Sequence, residues 1–509
     1  MPFPLFVFVS SLIAAGTLIA VRLLAQRPWL AITAGLVGAT VLLLFLGPVY
    51  FDCFADDAYI SFRYSDHLAQ GLGPNWNSQG RVEGYTSFLW MGTLAGVAKL
   101  GFDIVKASEV FGFLALLTTF LFVYRIWRLW AEEEGNSGIQ SPVLPAAVFV
   151  GLALTDGTTF WGFSGMETPL FTAAITGGAY CYLREQRGAR FPWSAVALAT
   201  ASMTRPEGLI AAAVTSGFLL AGLAGAVDRR RSLARLLSWG AVFLLLYGSY
   251  FLWRYTYYDH LLPNTFYAKV DLTRPVLERG LNYLWFYGLR YQLLAMVVGI
   301  ALLLARPRLR HDAAYLLAVS ALMLAGVVIE GGDAFGHGRF IVPLLPLLYL
   351  GGLAGYATLL QRLALDPARA TFVVSAALGL GALSLFPGLR EEIICRQVDD
   401  IAPRRVLGQW LTEHTPEDFT IAAYAVGALG YYTDRDVLDL LGINDVVIAH
   451  TDVPNFGRGI AGHEKYNNDY VLDEVRPEII IPNDAEPGPI TTEEFRARFD
   501  PPSRPSGRS

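Results

Sequence analysis

Two adjacent carboxylates stand where an apolar run ends. The stretch "YFDCFADDAYISFRYSDHLAQGLG", Tyr50 to Gly73, carries Asp56 and Asp57 within about one helical turn of a membrane exit. Charge so close to hydrocarbon is costly and has a partner or a task. Apolar residues at Ala58, Ile60, Phe62, Leu68 and Ala69, closed by Gly71 and Gly73, predict an amphipathic helix lying on the membrane. The start of a helix favours negative charge, so the pair serves either as helix caps or as a proton acceptor. Arg63 on the same helix supplies a cation.

Five further polar motifs interrupt apolar sequence: "GRVEGYTSFLW" with Glu83 and Tyr85, "WGFSGMETP" with Glu167, "MTRPEG" with Arg205, "YYDHLLPNTFYAK" with Asn264, Tyr267 and Lys269, and "EGGDAFGHGRF" with Asp333, His337 and Arg339. Each also has a plain structural reading. Glu83 can be a solvated loop acid, Glu167 a cap for the next helix, and Arg205 the partner of Glu207. Lys269, one of only four lysines, can be an interfacial side chain reaching for water. His337 is too isolated to assign as a metal ligand, the first loop has no DxD, and no metal or other cofactor is expected, although the Asp pair leaves a divalent ion open.

These motifs sit in a membrane protein. Of 509 residues, 54% are hydrophobic and 16% charged, against about 25% in a soluble domain, and mean hydropathy is +0.41. Twelve apolar runs are candidate spans: Phe3–Leu23, Trp29–Val49, Ala107–Trp127, Pro142–Thr155, Thr168–Leu183, Trp193–Met203, Gly208–Ala226, Leu233–Trp253, Tyr283–Leu304, Ala313–Ile329, Phe340–Leu360 and Thr371–Leu385. The pair around "MTRPEG" reads equally as one broken hairpin. "MPFPLFVFVSSLIAAGTLIAVRLL" lacks a positive start and reads as a retained helix rather than a cleaved signal. Cys53, Cys181 and Cys395 form no CxxC, which argues against a disulfide framework or a zinc site. No basic tract suggests nucleic acid.

The loops sort into two kinds. One set carries Arg22/Arg27, Arg125/Arg128, Arg184/Arg187/Arg190, Arg229–Arg231 with Arg235, Arg306/Arg308/Arg310 and Arg362/Arg369, and the positive-inside rule places it in the cytoplasm. The other set carries the polar motifs. If Ser87–Gly101 lies along the interface, the two sets fall on opposite faces and both termini lie outside.

A composition shift near Pro387–Arg390 marks a domain boundary. From Glu391 onward there are 22 acidic and 11 basic residues, whereas Met1 to Arg390 holds 22 and 28. The expected organisation is a membrane domain over 1–389, with its first outer loop at 50–101, then a soluble α/β domain over 390–500 and a disordered tail over 501–509. "FTIAAYAVGALGYYT" and "PEIIIPND" read as buried strands and "RRVLGQWLTEH" as an amphipathic helix. The fold class is mainly α: a polytopic helical membrane protein of about twelve spans with a small C-terminal α/β domain.

The ordered series of a DD in the first outer loop, an interfacial helix, "VEGYTSFLW", "RPEG", "LLPNTFYAK", "GGD" and "GRF", continuing into "ALGYYTDRDVLDLLGIND", resembles the GT-C polytopic glycosyltransferases. Within them it is similar to the bacterial branch that includes the terminal arabinofuranosyltransferases; a flagellar-motor control protein of similar layout shares that neighbourhood. The resemblance implies inverting transfer of a sugar from a polyprenyl-phosphate donor to a glycan, lipid or protein acceptor, on the outer face of the cytoplasmic membrane. A carboxylate takes the acceptor proton, and cations neutralise the departing phosphate. By family position Asp56 or Asp57 is the base, with Asp56 slightly favoured and kept ionised by the helix dipole and by cations such as Arg63. Arg63, Arg205, Lys269 and Arg339 are then phosphate ligands, and Glu83, Tyr85, Glu167, Asn264, Tyr267, Asp333 and His337 face substrate. The competing classes are a transporter of a lipid-linked sugar and a non-enzymatic membrane protein affecting envelope or motility. Against the transporter stand the long polar first loop, the absence of visible repeats and the acidic outer domain. The non-enzymatic reading predicts that the outer-face acids and cations tolerate neutral replacement.

Sidedness is directly testable. A cysteine at Ser78 is expected to react with an impermeant thiol reagent added outside intact cells, and one at Ser137 only after permeabilisation. Equal labelling of both overturns the topology.

Overall fold

The computed structural model describes residues 3–50, 55–133, 138–363, 401–454 and 456–481. The domain boundary near 389–390, the expected span Thr371–Leu385, Cys53, Cys395 and the tail lie outside them. Helices α1 (Phe3–Leu23) and α2 (Pro28–Tyr50) come first, followed by α3 (Asp56–Gln70) and α4 (Phe88–Lys99). The bundle continues through α5 (Ile104–Glu133), α6 (Val143–Leu154), α7 (Asp156–Phe163), α8 (Thr168–Gln186), α9 (Trp193–Thr204) and α10 (Gly208–Ala224). Then come α11 (Arg229–Phe243), joined by a π-turn to α12 (Ser249–Tyr258), the short α13 (Asn264–Lys269), α14 (Arg274–Arg290), α15 (Leu293–Leu303), α16 (Arg310–Ile329) and α17 (Leu345–Arg362).

The chain is a multi-pass membrane protein. Among the described residues six helices are long and apolar enough to cross, or up to eight if each of two bent pairs is one span. Several of the apolar runs fold as short or broken helices inside the bundle. α6 and α7 meet at 66°, α14 and α15 at 75°, the latter with Gln292 in the left-handed region (φ 56°). α9 has 12 residues, about 18 Å, well short of the hydrocarbon core. It stops because Arg205 precedes Pro206, which pushes the residue before it out of helical geometry. α4, also 12 residues, is likewise too short to span, consistent with Ser87–Gly101 staying at the interface.

The C-terminal region holds α18 (Ile401–His414) and a parallel three-stranded sheet of order β2-β1-β3: β1 (Thr420–Ala423), β2 (Asp436–Asp439) and β3 (Ile479–Ile481). The amphipathic helix and the Ile479–Ile481 strand match the sequence. "FTIAAYAVGALGYYT" is not one strand. It turns after Ala423 into α19 (Gly427–Tyr431), because Gly427 sits against the start of α3, where any side chain would overlap the Asp56 backbone.

α3 is the platform on which this region docks. Arg63 is buried, and its guanidinium donates to the backbone carbonyls of Trp76 (2.8 Å), Gly430, Thr433 (3.4 Å) and Arg435 (2.9 Å). Trp76 Nε1 donates to the Val437 carbonyl (2.7 Å), and the Asn77 amide pairs with both the N–H and the carbonyl of Val437 (2.9 and 3.1 Å), so a side chain supplies the edge pairing of β2. Tyr59 packs on Tyr431 and Tyr432. The Arg63 guanidinium is thus turned toward backbone carbonyls of this chain, away from the Asp57 side of α3.

Replacing Arg63 by Met strands several buried carbonyls and is expected to cost about 3 kcal/mol of docking stability. Limited proteolysis should then release the C-terminal region from full-length protein, with Arg63→Lys intermediate. Unchanged protease resistance of Arg63→Met contradicts the docking role.

Candidate active site

Asp56 and Asp57 begin α3, as the sequence implies, but their side chains diverge. Asp56 accepts hydrogen bonds from the backbone N–H groups of Gly427 (2.8 Å) and Ala428 (3.0 Å), with Arg404 at 3.5 Å. It braces the C-terminal region. Burial pushes its carboxyl above the usual range, opposed by Arg404 and the two amides. This differs from the expectation of an acid held ionised by Arg63.

Asp57 faces the other way. Its Oδ2 lies 3.7 Å from Lys269 Nζ and 4.0 Å from an Arg339 nitrogen. Asp57 and Lys269 keep 24% and 32% of their side-chain surface exposed, while Arg339 keeps 7%, so this is the open edge of the cluster. Lys269 ends α13, and Gly462 of the C-terminal region lies against its alkyl chain.

Behind that edge the cations are already matched with acids. Arg339 Nη2 donates to Asp333 (2.8 Å), and the Arg339 guanidinium lies over the rings of Phe335 and Phe340. Burial disfavours its charge, but Asp333, with Asp57 and Glu167, holds the guanidinium above its ordinary range. Arg205, freed from helical geometry by Pro206, is buried between Glu167 (2.8 Å) and Glu207, and it also lies over Phe340. Phe340 thus contacts two guanidiniums. Glu330 at the end of α16 feels the same cations, yet burial and nearby Glu207 push its carboxyl up to about 8.

Of the residues expected to act, the fold gathers Asp57, Lys269, Arg339, Asp333, Arg205 and Glu167, and adds Glu207 and Glu330. The others hold the framework. Glu83 is buried and forked by Arg254 of α12. Burial pushes its carboxyl up, and Arg254 pulls it down. Tyr85 is buried, with its hydroxyl 3.0 Å from that of Tyr258. Asn264 Nδ2 reaches the carbonyls of Gly442 (2.8 Å), Ile443 (3.0 Å) and Asp445 (3.1 Å), and the Tyr267 ring lies tilted against His450 at 4.3 Å. These two fasten α13 to the C-terminal region. His337 Nδ1 lies 2.7 Å from Asp156, which also pairs with Arg290 (2.6 Å) and anchors the "GGDAFGHGRF" loop.

Arg254, Asp156 and Arg290 escaped the sequence reading. Arg254 had a signal, a lone charge in the apolar "SYFLWRYTYY". Arg404 had none, because its partner is 348 residues away. Among the described residues no group of three or more His, Cys, Asp or Glu side chains gathers as a metal site.

Comparison with known proteins bears on this geometry. A family model described as a domain of unknown function, DUF8728, matches residues 396–504. Over 335 residues the chain is 27% identical to the terminal beta-(1->2)-arabinofuranosyltransferase of Mycobacterium tuberculosis (strain ATCC 25618 / H37Rv), covering 58% of this chain and 51% of that protein. The chain thus spans about half the length of that relative. Among solved structures, ArnT from Cupriavidus metallidurans bound to undecaprenyl phosphate aligns with a TM-score of 0.51 at 13% identity, covering 80% of this chain and 85% of that one. The Archaeoglobus fulgidus oligosaccharyltransferase in the apo form aligns at 0.50 and 10% identity, covering 80% and 64%. The fold is the GT-C fold, as the motif series implied.

Arg205→Ala leaves Glu167 and Glu207 buried without their cation and is expected to destabilise by about 3–5 kcal/mol. Thermal unfolding in detergent should show a clear drop in Tm, largely restored by adding Glu167→Gln and Glu207→Gln. A Tm unchanged by Arg205→Ala shows that the buried pairing is not structural.

Proposed function

We propose that this chain is an inverting glycosyltransferase that moves a sugar from a polyprenyl-phosphate donor to an envelope glycan, lipid or protein acceptor on the outer face of the cytoplasmic membrane. One observation carries the reading. Within a GT-C fold, Asp57 stands at the start of α3, 3.7–4.0 Å from Lys269 and Arg339. That distance exceeds a tight ion pair and leaves the carboxylate oxygens open to an acceptor hydroxyl. The relative that transfers arabinofuranose and the fold neighbour bound to undecaprenyl phosphate support the same chemistry.

The acceptor hydroxyl oxygen attacks the anomeric carbon while its proton passes to Asp57 as general base. The bond from that carbon to the donor phosphate oxygen breaks on the opposite side, inverting the centre, and the electron pair leaves with the lipid phosphate. Lys269 and Arg339 stabilise that charge. Lys269 is the more available, because Arg339 already holds Asp333. Arg205 stays between Glu167 and Glu207 and keeps the Phe340 wall in place. The base is thus assigned to Asp57 rather than Asp56. The lipid chain lies in the membrane, the acceptor arrives from water, and the two meet only at this depth.

The test is turnover of a panel of polyprenyl-phosphate sugars by purified protein, read as release of polyprenyl phosphate. Asp57→Asn is expected to lower kcat about 10²–10⁴-fold with near-normal donor binding. Lys269→Ala should weaken donor binding, and Asp56→Asn should act chiefly by loosening the C-terminal region. Full turnover in both single amides and in the double variant places the base elsewhere. Donor binding without turnover of any sugar in the wild type favours a transporter.

A further inference from the structure

A second concave site lies at the opposite end of the bundle from the motif cluster. It is a shallow, open cleft where the end of α8 and the start of α9 meet α11, and its lining includes Arg190, Arg235, Glu185, Ser238 and Trp239. Nothing in the sugar-transfer chemistry uses it.

Its floor is a built network. Both Glu185 oxygens accept from Ser194, from the backbone N–H and from the hydroxyl, each at 2.7 Å. Trp239 Nε1 donates to the same hydroxyl at 3.0 Å, and the Trp239 ring stacks on Phe243. The only acid in the lining is therefore committed to the floor. The two arginines are not: among the described residues neither the Arg190 nor the Arg235 guanidinium has a hydrogen-bond or ion-pair partner. Arg229, Arg230 and Arg231 open α11 and raise the positive potential at this end.

Two guanidiniums at a concave mouth take a phosphate oxygen pair. The surroundings separate a lipid phosphate from a free one. Phe191 and Trp193 lie in tilted contact at 4.6 Å beside the cleft, both about half exposed, and Leu233 and Leu237 of α11 are exposed nearby. Trp and its apolar neighbours at this level mark the membrane interface. The cleft is open and too small to enclose a ligand, so a phosphate rests at its mouth, between the two guanidiniums, with acyl chains along that apolar rim.

We infer that the cleft between α8, α9 and α11 binds the phosphate headgroup of an anionic phospholipid, through Arg190 and Arg235, with its acyl chains against Phe191, Trp193 and Leu237. The site is independent of the proposed transfer reaction. A lipid held there ties the short α9, which carries Arg205 at its far end, to the bilayer.

The test is native mass spectrometry of the full-length protein, with phosphatidylglycerol or phosphatidylcholine titrated in detergent. Wild type is expected to retain phosphatidylglycerol in preference to phosphatidylcholine. Arg190→Gln/Arg235→Gln should weaken phosphatidylglycerol retention about 30-fold, while leaving elution on gel filtration unchanged. Arg229→Gln/Arg230→Gln/Arg231→Gln serves as the charge control and should lose less. Equal losses in the two variants, or no preference between lipids, overturn the site. Displacement of the lipid by millimolar inorganic phosphate shows a plain anion site and overturns the lipid assignment. Tighter retention of undecaprenyl phosphate than of phosphatidylglycerol, abolished by Arg190→Gln/Arg235→Gln, does the same in favour of the carrier lipid.

Discussion

The fold depends on one buried guanidinium. Arg63 fills the space between α3, the loop after it and the C-terminal region, and its donors meet backbone carbonyls rather than carboxylates. Carbonyls compensate a buried charge only if several converge, so this one interaction fixes three segments at once. With α3 held, its first turn is fixed too. Asp56 then closes on the amides of Gly427 and Ala428, and Asp57 is left pointing into the cation cluster. Adjacent identical residues acquire opposite duties because one helix start has a protein wall on one side and an opening on the other.

Behind the opening, charge is almost balanced before any substrate arrives. Arg205, Arg339 and Lys269 face Asp57, Asp333, Glu167, Glu207 and Glu330, and burial holds Glu330 toward its neutral form. In a medium of low dielectric, such pre-pairing keeps arginines oriented without a ligand. A phosphate entering this cluster competes most easily for the loosest cation. Geometry grades the cations from Arg205, fully enclosed by acids, to Lys269 at the rim.

What the sequence revealed was local. The helix begun by Asp56 and Asp57, the short α4, the break at "MTRPEG" and the helix in "RRVLGQWLTEH" each follow from spacing within a dozen residues, and each appears in the structure. Yet α3 is buried on all sides over residues 58–65 rather than laid on a membrane by one apolar face. Roles set by distant partners were hidden. Arg63, Glu83, Asn264 and Tyr267 resemble ligands in isolation, and the contacts they make could not be read locally because their partners at Gly430, Arg254, Gly442 and His450 are far along the chain. The length of each span was hidden for a related reason: an apolar run reports burial, and burial against other helices looks the same as burial in lipid.

The contact between Asp56 and Gly427 joins residues 371 positions apart. At a synthesis rate of about 5–20 residues per second, the first polar loop waits roughly 20–75 s for its partner to leave the ribosome. Throughout that interval Arg63 has none of its three C-terminal carbonyls and must stay hydrated, so α3 cannot settle into its final burial. Assembly of this protein therefore ends where it began, with the earliest polar loop completed last. A chain cut short at any point before Gly427 never forms the surface on which its own aspartates depend.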